Sequence, residues 1–64
     1  MAAILDAVRA KGWFVCVFQY FEWDEWVIQN RNGDPIGKTT KKDGLRNKEA
    51  LLTALDRALE VIDA

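Results

Sequence analysis

The sequence predicts an α+β fold of order α-β-β-β-α: a three-stranded antiparallel meander with two helices on one face, formed by residues 1–64 as a single domain. Three observations predict it. Residues 12–28 hold all three Trp, all three Phe and the single Tyr, interleaved with β-branched residues and without a helical stripe. Asn32-Gly33 is a strong turn signal between two strand-like runs. The chain closes on an amphipathic segment in which Leu51, Leu55, Ala58, Leu59 and Ile62 recur at helical spacing.

Ala2 to Lys11 reads as a short helix with Ile4, Leu5 and Val8 on one face. Asp6 lies toward its start, and Arg9 and Lys11 toward its end, where they complement the helix dipole. Gly12 is placed to stop it in the left-handed conformation that helix ends favour. Three turns are marginal in isolation, so this helix is expected to dock on the sheet.

Strand one, from Trp13 to about Phe21, is apolar on both faces: Phe14, Cys16, Phe18 and Tyr20 alternate with Trp13, Val15 and Val17. Strand two, from about Asp24 to Arg31, sets Trp26 and Ile28 against Glu25, Val27, Gln29 and Arg31, which predicts Trp26 and Ile28 in the core. The hairpin loop decides which face of strand one joins them. A three-residue loop turns Phe14, Phe18 and Tyr20 inward; a two- or four-residue loop turns Val15 and Val17 inward. The first is expected, since it also buries Cys16 and gives the core its bulk. Val15, Val17, Val27 and Gln29 then lie on the helix-free face.

Both central positions of a type I′ turn require positive φ, which Asn32-Gly33 supplies. The turn leads to a third strand, Ile36 to about Lys42, which Pro35 and Gly37 mark as an edge. A tight turn places Ile36 beside Gln29 on the outer face; a bulged one places it inside. Asp43 to Arg46 reads as a loop. Asn47 is expected to cap a helix running to about Ile62, with Leu52 and Val61 on its flanks and Thr53, Asp56, Arg57, Glu60 and Asp63 facing water.

Sixty-four residues is near the lower limit for a lone hydrophobic core. Half the residues are apolar and 30% are charged, a globular balance rather than a disordered one. The net charge of −1 argues against both a general nucleic-acid binder and a strongly acidic DNA mimic. A single Cys forms no internal disulfide and favours a reducing cytoplasm. Asp6 and Arg9 interrupt the apolar start, so no signal peptide is expected, and no run of about 20 apolar residues spans a membrane.

The chain has no His and no Ser, which removes the usual general base, the commonest metal ligand and a serine nucleophile. Cys16 sits mid-strand without a basic neighbour in sequence. The chain is therefore expected to be no enzyme and to carry no cofactor. Glu22, Asp24 and Glu25, interleaved with Trp23 and Trp26, form either a recognition tip or a solvated turn that guards an edge. No metal is expected there, because hard cations require six or more oxygens around a shaped loop.

Lys38, Lys41, Lys42, Arg46 and Lys48 crowd five of the nine basic residues into eleven positions. Lys41, Lys42, Arg46 and Lys48 are candidates to bind phosphates at the start of the last helix. They are equally placed to pair with the acidic hairpin, because strands one and three of a meander run the same way.

Two families share parts of this pattern. Gly44-Leu45-Arg46-Asn47-Lys48-Glu49-Ala50 resembles the entry into the last helix of the double-stranded RNA-binding domain, whose element order is the same. That resemblance implies phosphate contacts across a groove. It covers about ten residues, with Lys48 where the family has an adjacent lysine pair and Leu51 where a further Lys stands. Lys11-Gly12-Trp13, the hairpin from Trp23 to Ile28, and Lys48-Glu49-Ala50-Leu51-Leu52-Thr53-Ala54-Leu55 are similar to small accessory proteins of phages and prophages. This second resemblance implies a non-enzymatic protein that binds a host protein, in some cases to inhibit a defence system such as CRISPR. The expected protein-binding residues are Val15, Val17, Trp23, Val27, Gln29 and Ile36, with a host protein or a second copy as partner.

Overall fold

The computed structural model describes residues 2–63, with side chains through residue 61. The elements are α1 (Ala2–Ala10), β1 (Phe14–Gln19), β2 (Asp24–Gln29), β3 (Pro35–Lys38) and α2 (Asn47–Asp63). The strands form one antiparallel sheet of order β1-β2-β3, so the chain has the predicted α-β-β-β-α architecture. Its core joins Val8 of α1, Trp13, Trp26 and Ile28 of the sheet side, and Ala50, Leu51, Ala54 and Ala58 of α2. The expected positions of Ile62 and Asp63 on α2 lie outside the described side chains.

α1 ends where Gly12 predicts. Gly12 has φ of 78°, its N–H donates to the Arg9 carbonyl at 2.8 Å, and the Trp13 N–H reaches back to the Val8 carbonyl at 3.4 Å. These two bonds are a Schellman motif, and the Val8–Trp13 contact that accompanies it is part of the core. The Lys11 ammonium lies 5.5 Å from the centre of the Trp13 ring and covers it from solvent.

The β1–β2 register corrects the expected orientation of strand one. Gln19 pairs with Asp24, leaving the four residues Tyr20 to Trp23 as the connection, so Val15 faces the helix side with Ile28, and Val17 with Trp26. Phe14, Phe18 and Tyr20 are not core residues. They lie with Cys16 on the helix-free face, opposite Gln29, Glu25 and Val27. The physical reason is the connection: at four residues rather than three it reverses the parity of the strand, so that Val15 and not Phe14 turns toward the core of Trp13, Trp26 and Ile28.

The second hairpin also departs from expectation. Its turn begins at Asn30, whose carbonyl accepts from the Gly33 N–H at 3.0 Å, while Gly33 alone takes a positive φ of 85°. Asn32 does not, so this is a type I turn followed by a left-handed glycine, not a type I′ turn. The Asn30 side-chain oxygen accepts from the Asn32 and Asp34 amides and makes the turn self-supporting. The register then slips between Ile28 and Gln29, and this bulge sends Ile36 against the core rather than to the outer face.

β3 is shorter than the expected strand because side chains take over its ladder. Thr39, fully buried, accepts the Trp26 N–H at 3.0 Å and donates to the Asp24 carbonyl at 3.0 Å. Asp43 accepts the Thr40 N–H at 2.7 Å, and Arg57 donates to the Lys38 carbonyl at 2.8 Å. Arg57 therefore does not simply face water. It forms a two-pronged pair with Asp43 at 2.8 and 2.9 Å, which holds the Asp43 carboxyl well below the usual carboxylate range.

α2 lies over β2 and β3, and α1 touches β1. Close approach of α2 is possible because Gly37 faces it. A Cβ at that position would meet the Ala54 carbonyl oxygen, the Ala58 nitrogen at 2.6 Å and the Ala58 Cβ at 2.9 Å. Gly37→Ala is expected to destabilise the fold by about 1–3 kcal/mol through overpacking. Urea denaturation measures it, and an unchanged midpoint would show that α2 does not rest on this glycine.

Candidate functional site

The exposed apolar surface of the chain is concentrated on and around β1. Phe14 is 56% exposed, Phe18 52%, Tyr20 46% and Val17 43%. Phe21, at the tip of the β1–β2 connection, is 90% exposed, and Cys16 lies exposed between the two phenylalanines. Alternation explains the row: once Trp13 and Val15 turn toward the helices, every even-numbered residue of β1 faces water. Burying one such aromatic is worth roughly 1.5–3 kcal/mol, so a surface with this many bare is unusual for a monomer.

The structure divides the six residues expected to bind protein. Val27 and Gln29 do lie on the helix-free face, half-buried between β1 and β3. Val15 and Ile36 are on the helix side and pack against the core. Val17 is on the helix side too, but neither helix covers it fully. Trp23 is half-buried, its ring stacked on Tyr20 with centroids 4.2 Å apart and planes within 10°. The Tyr20 N–H donates to the Trp23 carbonyl at 2.9 Å and closes the hairpin under that stack. The residues that the sequence pattern placed inside, Phe14, Phe18 and Tyr20, are the ones presented outward, and Phe21, expected at the end of strand one, lies in the connection beyond it.

The acidic and basic segments meet at one end of the sheet, as the meander requires. Asp24 is buried, 1% exposed. Its N–H donates to the Leu45 carbonyl at 2.8 Å, its Oδ2 accepts the Asn47 N–H at 2.8 Å, and its Oδ1 lies 3.7 Å from Arg46 Nε. The cap of α2 is thus Asp24, reaching across from β2, whereas Asn47 enters the helix with φ of 52°. Arg46 also donates to the Phe21 carbonyl at 3.0 Å and so holds the exposed tip in place.

This junction bears on the phosphate-binding candidates. A carboxylate already occupies the start of α2, where a phosphate would otherwise sit, and Arg46 is committed to Asp24 and Phe21. Lys41, Lys42 and Lys48 remain exposed, and among the described residues no ion pair joins them to Glu22 or Glu25. Lys41 lies beside Tyr20, Phe21 and Trp23 in a shallow hollow. Among the described residues no three His, Cys, Asp or Glu side chains converge to hold a metal ion. No helix in the described residues is long and apolar enough to cross a membrane.

Comparison with protein-family models, curated proteins and solved structures returned no match.

Stacking and exposure assign different parts to the two loop aromatics. Phe21→Ala is expected to leave stability within about 0.5 kcal/mol of the parent. Trp23→Ala is expected to cost about 1–3 kcal/mol, from the lost stack and its half-buried area. Thermal denaturation of both variants checks this, and equal losses would contradict it.

Proposed function

We propose that this chain is a non-enzymatic protein-interaction module whose working surface is the helix-free face of its sheet. The observation that carries the reading is the row Phe14, Cys16, Phe18 and Tyr20, exposed on one face and continued by Phe21 at the tip. Aromatics are the residues that interfaces concentrate at their centres. What further supports it is the absence of His and Ser from the sequence, which leaves little from which to build an acid–base or nucleophilic site.

The flanks of this face have the polarity of an interface rim. Glu25 and Gln29 lie beside Phe18 and Phe14, half-buried on the neighbouring strand. The exposed thiol of Cys16 suits a reducing cytoplasm, where it stays free. Resemblance to phage and prophage accessory proteins supports the finer reading, that the partner is a host protein which the chain inhibits, a CRISPR-type defence component being one such target.

Capture from nuclease-treated host lysate tests the reading. A protein retained by the parent chain is expected to be lost with Phe18→Lys and with Phe14→Lys, while the melting temperature of each variant stays within a few degrees. Retention that ignores both changes would contradict the aromatic face as the binding surface. Loss of the partner on nuclease treatment, or with Lys41→Ala and Lys48→Ala, would instead favour nucleic-acid binding, whose affinity falls steeply with salt.

A further inference from the structure

The two edges of the sheet are treated in opposite ways. The β3 edge carries every device that discourages strand addition: Pro35, a bulge at Ile36, the charge of Lys38 and an Arg57 side chain on the Lys38 carbonyl. The β1 edge carries none. No charged residue occurs from Gly12 to Phe21, the strand has no proline or bulge, and its six residues are apolar but for Gln19.

The direction of its backbone groups follows from two bonds. The Tyr20 N–H points to β2, because it donates to the Trp23 carbonyl, and the Trp26 carbonyl points to β3, because it accepts the Thr39 N–H. Strand alternation then turns the N–H and C=O groups of Phe14, Cys16 and Phe18 toward β2, and those of Val15, Val17 and Gln19 toward the open edge. That edge is a ready template for another strand.

We infer that β1 pairs antiparallel with β1 of a second copy, about a two-fold axis at Cys16, to form a continuous six-stranded sheet. This goes beyond the proposed partner-binding face and does not depend on it. In this register Val15 meets Val17 of the second copy through the free backbone groups, and Phe14 meets Phe18 of the second copy on the helix-free face. The two small Cys16 side chains face each other at the axis between those aromatic pairs. Every residue from Phe14 to Phe18 finds an apolar partner, and no like charges are brought together. A second copy fits this edge because the strand is complementary to itself.

The dimer would double the aromatic face into one continuous strip.

Sedimentation and oxidative cross-linking test the pairing. The parent chain is expected to sediment at twice its 7.3 kDa at about 100 μM. Val17→Pro removes an edge-facing N–H without touching the β2 ladder, and is expected to restore the single-chain mass with the circular dichroism of the parent. Val17→Lys, which sets charge close to the axis, is the second variant should the proline variant unfold, and is expected to do the same. Directly opposed Cys16 residues lie about 4.5 Å apart at Cα, within reach of a disulfide. Mild oxidation of the parent is therefore expected to yield a cross-linked dimer, whereas Val17→Cys in a Cys16→Ser background, no longer opposite itself, yields none. A parent chain of single mass at 100 μM overturns the proposal. So does a dimer that survives the folded Val17 variants and dissociates only with Phe18→Lys, which would mark face-to-face packing. A single-chain parent that still loses its lysate partner on Phe18→Lys overturns the edge pairing and leaves the proposed function standing.

Discussion

Gly37 lets α2 descend onto β3 until Ala54 and Ala58 lie against the sheet backbone, and that close approach decides where the rest of the chain can go. A helix so placed covers β2 and β3, where Ile28 and Trp26 lie beneath it. It leaves β1 to the nine residues of α1, which seal Val8 over Trp13 but leave Val17 43% exposed. Among the described residues no further element lies over the other side of the sheet. The aromatic face is therefore a consequence of layer count: one helical layer, one sheet, and a first strand that is apolar on both sides.

A second lock is polar. Asp24 begins β2, caps α2 through the Asn47 amide and neighbours Arg46, which in turn grips the Phe21 carbonyl. Thr39, immediately after β3, closes the same junction. Sheet, helix and aromatic tip are thus tied by one small polar cluster, and Phe21, 90% exposed, projects from the turn it holds. Fixing the backbone beneath an exposed aromatic lowers the ordering cost of burying that aromatic in an interface. Asp24 and Arg46, one from each charged segment, are spent here on architecture.

The element order was legible because it rests on local signals: the periodicity of α2, the stop at Gly12, and the alternation of β2 around Trp26 and Ile28. What was not legible was parity. Strand one offers apolar residues on both faces, so its pattern does not say which face turns inward, and one residue of hairpin loop reverses the answer. The four-residue connection from Tyr20 to Trp23 settled it, turning Val15 and Val17 to the helix side. Asn32-Gly33 misled in a related way. The pair fits a type I′ turn, but the Asn30 side chain offers two hydrogen bonds to a wider one, and the resulting bulge carries Ile36 inside. The cap of α2 was hidden for a third reason: its carboxylate lies 23 residues away in sequence.

Residue-resolved amide exchange as a function of protein concentration tests the central claim, that β1 is a closed rung toward β2 and an open one toward solvent, most directly. The account expects the Cys16 and Phe18 amides to be protected at every concentration. The Val15 and Val17 amides are expected to exchange freely in dilute solution and to gain protection as concentration rises through the micromolar range. Protection of Val15 and Val17 in dilute solution, with Cys16 and Phe18 exchanging freely, would reverse the parity of the strand and contradict the account.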